Sequence, residues 1–327
     1  MKTAILAATR QGRLVADRIH QGLEGSEIVH YGEGIRRALE QVWQNYDGVV
    51  CVMAAGIVVR CISGLSKSKY LDPCVVVVDD AGNHAISLLS GHIGGGNSLA
   101  IKVADICGGA AVITTASDVS GHTAVDLWSI EENLSVVNPE KLAQTSAVLL
   151  DRGEVHVYQD EPYIKKIPID FKRCTNRKDA DIVIALSHQG NDRTLKLIPR
   201  IRFIGFGCKR GTTVDEFREV LADLQDQNDL DLRSVGGIAS IDIKKDEEGL
   251  LEIRDLNNWP IRFFSKKLIS SVSVPSKSET VHRKIGVYGV CEAAAMLAAS
   301  DRQGSGRLII KKRKWQRITA AVVEITY

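Results

Sequence analysis

The chain lacks the marks of several large protein classes. No apolar run reaches the ~18–20 residues that a membrane-spanning helix needs. The opening MKTAILAATR has too short an apolar stretch for a secretory leader. The seven cysteines are odd in number and include no CxxC pair, which argues against a disulfide framework or a zinc ribbon. Cys51, Cys61, Cys74 and Cys107 sit in apolar strings and read as small core residues of a reducing cytoplasm. Charge of one sign is missing too. Lys and Arg number 42 against 40 Asp and Glu, for a net +2, so a polybasic nucleic-acid binder is excluded while a local basic pocket is not. The glycine loops carry neither a Gly-Lys-Ser/Thr phosphate loop nor a GxGxxG fingerprint, which weakens a nucleotide-binding reading. No spacing of His, Cys and carboxylates suggests a metal site.

What is present is an ordinary globular composition, 44% hydrophobic and 25% charged, over 327 residues, enough for two cores. Ala4–Ala8, Gly48–Met53, Cys74–Val78, Ala85–Leu89 and Ala111–Thr114 read as strands. The turn composition of Asp79-Asp80-Ala81-Gly82-Asn83 suggests a hairpin between the third and fourth. From about Asn138 to Pro199 the pattern weakens, and four of the seven prolines fall there. Periodicity returns at Arg202, and Thr213-Val214-Asp215-Glu216 has the form of a capping box. The fold expected is α/β: two α/β domains with mixed, partly parallel sheets, at 1–137 and 201–327, joined by a small middle module at 138–200.

Several strings could carry chemistry. Ser90-Gly91-His92-Ile93-Gly94-Gly95-Gly96-Asn97 runs from a strand into a helix. Its glycines allow close backbone approach, Asn97 is a natural N-cap, and His92 can act as acid or base near neutral pH. A tight strand-to-helix turn is the alternative account. Gly207-Cys208-Lys209-Arg210-Gly211-Thr212 repeats the strand, loop, helix arrangement with two adjacent cations, suited to a carboxylate or phosphate; a solvated basic turn is the alternative. Cys208 next to positive charge is a weaker candidate nucleophile. Thr114, Thr115 and Asp118 follow a strand end, where α/β sites collect, and could equally cap a turn. Ser240, Asp242 and Lys244 could share one strand face, and a solvated face would explain them as well. Glu292 opens an alanine-rich helix after Gly286-Val287-Tyr288-Gly289, as a site residue or as a favourable dipole partner. Lys311–Lys314 reads most simply as a charged hairpin turn.

Together the strings resemble the cobalt-precorrin-5A hydrolase (CbiG) family of anaerobic cobalamin biosynthesis. Met53–Arg60, Asp72–Asp79, Leu88–Asn97 and Thr114–Asp118 fit its N-terminal pattern in order. Gly207–Gly211, Ala239–Asp246 and Glu292–Ala295 fit its C-terminal domain, shared with CobE-like proteins. Gly96 stands where alanine is usual, and Tyr288-Gly289-Val290-Cys291 replaces a more serine-rich string. The resemblance implies a cytoplasmic enzyme that opens the δ-lactone of a cobalt tetrapyrrole and releases acetaldehyde. It implies no cofactor beyond the substrate's own cobalt, no metal site on the protein, no nucleic-acid or membrane partner, and neighbouring pathway enzymes as candidate partners. A non-catalytic corrinoid carrier is the rival. The catalytic candidates are His92, with Asp118 and Glu292 in reserve, and the amides of Gly94–Asn97 as oxyanion donors. The substrate-binding candidates are Arg60, Ser90, Gly91, Gly94, Gly95, Gly96, Asn97, Thr114, Thr115, Gly207, Cys208, Lys209, Arg210, Gly211 and Thr212.

Overall fold

The computed structural model describes all residues except 33, 69–70, 93, 115–120, 187–193, 301–304 and 327, and leaves the side chains of 280 and 284 undescribed. It contains three sheets. The first comprises β1 (Thr3–Ala7), β2 (Ser26–Ile28), β3 (Gly48–Val52), β4 (Cys74–Val78), β5 (His84–Leu89) and β6 (Ala110–Val112), in the order β2-β1-β3-β4-β5-β6. β2, β1, β3 and β4 are parallel; β5 runs against β4 as the expected hairpin, and β6 runs parallel to β5. β3 and β4 are buried at every residue, as strands covered on both faces must be. Alternate residues feed two cores. Leu6, Cys51 and Val77 pack toward helices Ile35–Val42 and Ala55–Ile62. Ile5, Val52 and Val76 pack toward helices Arg10–Gly22 and Gly96–Cys107.

The stretch in which the sequence pattern weakens holds a sheet of its own. β7 (Leu134–Val136), β8 (Val155–Gln159), β9 (Phe171–Arg173), β10 (Ile182–Ile184) and β11 (Leu195–Pro199) order as β7-β11-β10-β8-β9, parallel except for β7. Most of these strands have only three residues, too few to show a period.

The third sheet is β12 (Arg202–Cys208), β13 (Val235–Ile241), β14 (Ile261–Phe264), β15 (Ser305–Lys314) and β16 (Ile318–Thr326), ordered β14-β13-β12-β16-β15. The capping box at Thr213 and Glu216 forms as expected and starts helix Val214–Asn228. Helix Cys291–Ser300 lies so close to β12 that a β-carbon on Gly205 would run into the Cys291 carbonyl, and Ala293, Ala294 and Ala295 are fully buried. The alanine-rich string is therefore explained by packing. Two expectations are corrected. β13 is buried throughout and Asp242–Lys244 turns into a 3-10 helix, so Ser240, Asp242 and Lys244 do not share a strand face. Lys311–Lys314 lies on β15, and the turn is Trp315–Arg317.

Contacts divide the chain into two compact units. One is Met1–Trp128 with Ser146–Glu154; the other is Ser129–Thr145 with Val155–Tyr327 and holds the second and third sheets. Among the described residues no helix is long and apolar enough to cross a membrane.

Candidate functional site

In the first unit the expected residues fall at two ends of one sheet. Because β5 reverses direction, its carboxyl end lies beside the amino end of β4, with Leu89 opposite Val75. The Ser90–Asn97 loop leaves from there, and Thr114 emerges exposed from β6 at the same end. Thr115 and Asp118 lie outside the described residues. Arg60 belongs to helix Ala55–Ile62, which starts at the carboxyl end of β3. Its guanidinium folds back over the first turn, 3.6 Å from where a Gly56 β-carbon would be. A five-residue strand is ~16 Å long, so Arg60 and the glycine loop are not brought together. At the Arg60 end, the carboxyl termini of β1, β3 and β4 frame a crevice of about 510 Å³ lined in part by Thr9, Ala54, Asp79 and Asp80. It lies where the strand order reverses, the usual place for an α/β ligand site, and the sequence reading missed it. Thr9 donates to Asp80 Oδ2 at 2.8 Å, Asp79 accepts from the turn amides of Ala81 and His84 at 2.9 and 2.7 Å, and Asp80 Oδ1 is buried with no hydrogen-bond partner among the described residues.

The glycines of the Ser90–Asn97 loop serve its own compactness. Ser90 and Gly95 take left-handed backbone, at φ 52° and 80°. A β-carbon on Gly94 would stand 2.5 Å from that of Ser90, and one on Gly91 2.6 Å from the Asn97 side chain. The amides of Gly95, Gly96 and Asn97 donate to the carbonyls of His92, Ser90 and Gly91 at 2.9, 3.1 and 2.8 Å. This corrects the expected oxyanion pocket at three of its four amides, because these three already satisfy the loop. The cap is corrected as well: Gly95 occupies the N-cap position and Asn97 lies inside the helix. His92 remains. Its Nδ1 lies 4.0 Å from Asp126 Oδ1, with the two side chains 13% and 17% exposed. That places a carboxylate within ion-pairing distance of the ring. Nothing in the sequence singled out Asp126, which opens helix Val125–Glu131.

In the second unit, the Gly207–Thr212 loop borders a cavity of about 540 Å³. Among the described residues its cationic lining is Lys209, Arg210, Lys244, Lys312, Lys314 and Arg317, with no carboxylate, and Val281, Ile285 and Val290 supply apolar wall. The sequence reading missed Lys312, Lys314 and Arg317. The signal was the run Lys311–Lys314, whose alternate members share one face once it is a strand.

The loop is held from outside. Glu247, 2% exposed, accepts from the amides of Gly211 and Thr212 at 2.6 and 3.1 Å and from Lys244 Nζ at 2.8 Å. Burial alone would raise its carboxyl pKa; Lys244 and the two amides outweigh that and hold it below its ordinary value. Thr212 also donates its hydroxyl to the Lys209 carbonyl at 2.7 Å, and Gly207 accepts from the Thr319 hydroxyl at 3.2 Å. Burial pushes the Cys208 thiol up to about 11, so it is no nucleophile at neutral pH. Glu292 is corrected too. It is 1% exposed and accepts from the Ser276 amide at 3.0 Å, the Ser276 hydroxyl at 2.7 Å and the Lys312 amide at 2.9 Å. It is a buried tie between segments and no reserve base.

Comparison with known proteins gives a consistent picture. Residues 37–118 match the family model for the cobalamin synthesis G N-terminal region, and residues 202–323 match that for the cobalamin synthesis G C-terminus. A cobalt-precorrin-5A hydrolase of Priestia megaterium is 31% identical, with 99% of this chain and 95% of that protein covered. Another from Salmonella typhimurium is 28% identical over 84% of this chain and 82% of its own length. Among solved structures, a cobalamin biosynthesis protein G homologue from Sulfolobus solfataricus aligns over 99% of this chain and 97% of its own, at 23% identity and a TM-score of 0.41.

Proposed function

The chain belongs to the cobalamin synthesis G (CbiG) family, and on that premise we propose that it hydrolyses cobalt-precorrin-5A, opening the δ-lactone and releasing acetaldehyde. The hydrolase activity is that of relatives matched over almost the full chain. The observation that carries the reading to this molecule is the cavity of the second unit, which joins six cations and no carboxylate to an apolar wall. An apolar macrocycle fringed with acidic arms needs that combination. The enzyme works in the cytoplasm, alongside neighbouring enzymes of its pathway, with no cofactor other than the cobalt its substrate brings.

His92 is the general base. Paired with Asp126, it takes a proton from water as the water oxygen attacks the lactone carbonyl. The ring oxygen leaves and collects a proton, giving a carboxylate and a hydroxyethyl group. Loss of the hydroxyl proton then lets the carbon–carbon bond break. Acetaldehyde departs, and the electron pair stays on the macrocycle. The amides of Gly95, Gly96 and Asn97 are occupied, which leaves the Gly94 amide as the loop's candidate donor to the oxyanion. A corrinoid carrier would have no use for a histidine held beside a carboxylate. Incubating the protein with cobalt-precorrin-5A and assaying acetaldehyde decides the matter. Tight binding without acetaldehyde would replace the enzyme with the carrier.

A further inference from the structure

The six cations of the basic cavity fall into two classes. Arg210 is bound to Asp246 at 2.6 Å. Lys244 is bound to the buried Glu247 at 2.8 Å. Arg317 lies 3.5 Å from Glu216 and donates to the Arg210 carbonyl at 2.6 Å. These three are neutralised by the protein's own groups. The ammonium groups of Lys209, Lys312 and Lys314 have no hydrogen-bond or ion-pair partner among the described residues, yet all three line the cavity.

Two of them are set by the strand. Lys312 and Lys314 stand two residues apart near the end of β15, so both leave the same face, ~7 Å apart. Arg313 between them turns the other way, to Asn228 at 2.6 Å and Asp223 at 3.6 Å. Lys209 joins them from the Gly207–Thr212 loop, whose backbone is tied to the hairpin by the bond from the Lys209 amide to the Arg317 carbonyl at 2.9 Å. The result is a triangle of uncompensated positive charge over an apolar wall. A neutral ligand leaves that charge unanswered, and a single carboxylate answers a third of it. Neighbouring carboxylates on one rigid apolar body fit it fully.

We propose that Lys209, Lys312 and Lys314 are the residues that select the substrate, by pairing with adjacent carboxylate arms at one edge of the macrocycle. Arg210, Lys244 and Arg317 shape the cavity without touching those arms. This rests on the hydrolase reading and sharpens it, since it withdraws the carboxylate-binding role expected of Arg210.

The test compares Lys209→Gln, Lys312→Gln and Lys314→Gln with Lys311→Gln, which removes the same charge from an exposed residue of β15 outside the cavity lining. Binding of cobalt-precorrin-5A is followed by its visible absorbance, and KM and kcat by acetaldehyde release, each at low and high salt. Each cavity variant should weaken binding and raise KM about tenfold, the usual effect of losing one charge-assisted bond, with kcat changed less than about twofold. Each should also lose part of the salt dependence. Lys311→Gln should match the wild type. Cavity variants indistinguishable from Lys311→Gln, or a fall in kcat at constant KM, would overturn the assignment. The binding arm separates the two claims. A wild-type protein that binds without releasing acetaldehyde removes the hydrolase reading, and the lysines then stand or fall on affinity alone.

Discussion

The two glycine loops begin from the same sequence idea, a strand that gives way to glycines and then a helix, and they end as different devices. Ser90–Asn97 closes on itself: its amides donate to its own carbonyls, and its glycines fit where a β-carbon would strike Ser90 or Asn97. Its chemistry is one side chain, His92, beside Asp126. Gly207–Thr212 is held from outside, with the buried carboxylate of Glu247 taking the amides of Gly211 and Thr212, and offers a cation to a cavity. Glycine content therefore says that the backbone is tight. Where the loop amides find their acceptors says what the loop is free to do. A self-satisfied loop presents a side chain; an anchored loop presents charge.

The largest expected effect tests the first half of that contrast. His92→Ala should lower acetaldehyde release by ~10²–10⁴-fold, the usual loss of a general base, while affinity for the cobalt substrate stays near that of the wild type. Asp126→Asn should cost less, because the base itself remains and only the carboxylate beside it is lost. Near-native turnover in His92→Ala would end the contrast as drawn and return attention to Asp118.

Next in size is the anchor. Glu247→Ala leaves Lys244 without its carboxylate and two loop amides without their acceptor, a loss of about 3–5 kcal/mol for a broken buried pair, read as a fall in thermal midpoint together with weaker substrate binding. Glu247→Gln keeps an acceptor for the amides and should recover part of the stability. If both variants lose stability equally, the ion pair rather than the amide bonds holds the loop.

How much of this the sequence disclosed depended on how local the cause was. Five of the six strands of the first sheet were legible, most plainly β3 and β4, which are five residues of almost only Val and Cys; the three-residue β2 was not. The capping box at Thr213 and Glu216 was legible because both partners lie within one turn. The second sheet was obscured by strands of three residues. The site was half legible. His92, Lys209 and Arg210 could be named from their strings, but Asp126 reaches His92 from 34 positions away and Glu247 reaches Gly211 from 36. Pairings across such separations leave no local pattern. The oxyanion role given to the amides of Gly95, Gly96 and Asn97 failed for a related reason: residue types do not report which carbonyls the amides have already found.

Smaller effects should come from paired glycine substitutions, one in each loop. Gly94→Ala places a carbon 2.5 Å from the Ser90 β-carbon and 2.7 Å from its carbonyl oxygen, and should cost ~1–3 kcal/mol by overpacking. A β-carbon on Gly211 would meet only the far end of Arg317, at 3.8 Å, but the residue sits at φ 70°. Gly211→Ala should therefore cost only the left-handed backbone penalty of ~1–2 kcal/mol. Chemical denaturation of the two variants measures the difference. A costlier Gly211→Ala would mean that the anchored loop is as crowded as the closed one.

The finest distinction is in pH. The amides of Gly211 and Thr212 donate to a carboxylate, whereas those of Gly96 and Asn97 donate to backbone carbonyls, which do not titrate. Glu247 has its carboxyl held below the ordinary value of 4.5, since Lys244 and the two amides outweigh the effect of its burial. A depressed carboxyl stabilises the fold at pH values above the ordinary one, and that stabilisation is lost as pH falls through the folded value. Below pH 4.5 the anchor should therefore weaken, and the Gly211 and Thr212 amides should lose protection from hydrogen exchange after correction for the intrinsic rate. The Gly96 and Asn97 amides should keep theirs until the unit unfolds as a whole. Protection lost together at both loops would show that acid acts on the fold globally and that Glu247 holds the second loop no more firmly than carbonyls hold the first.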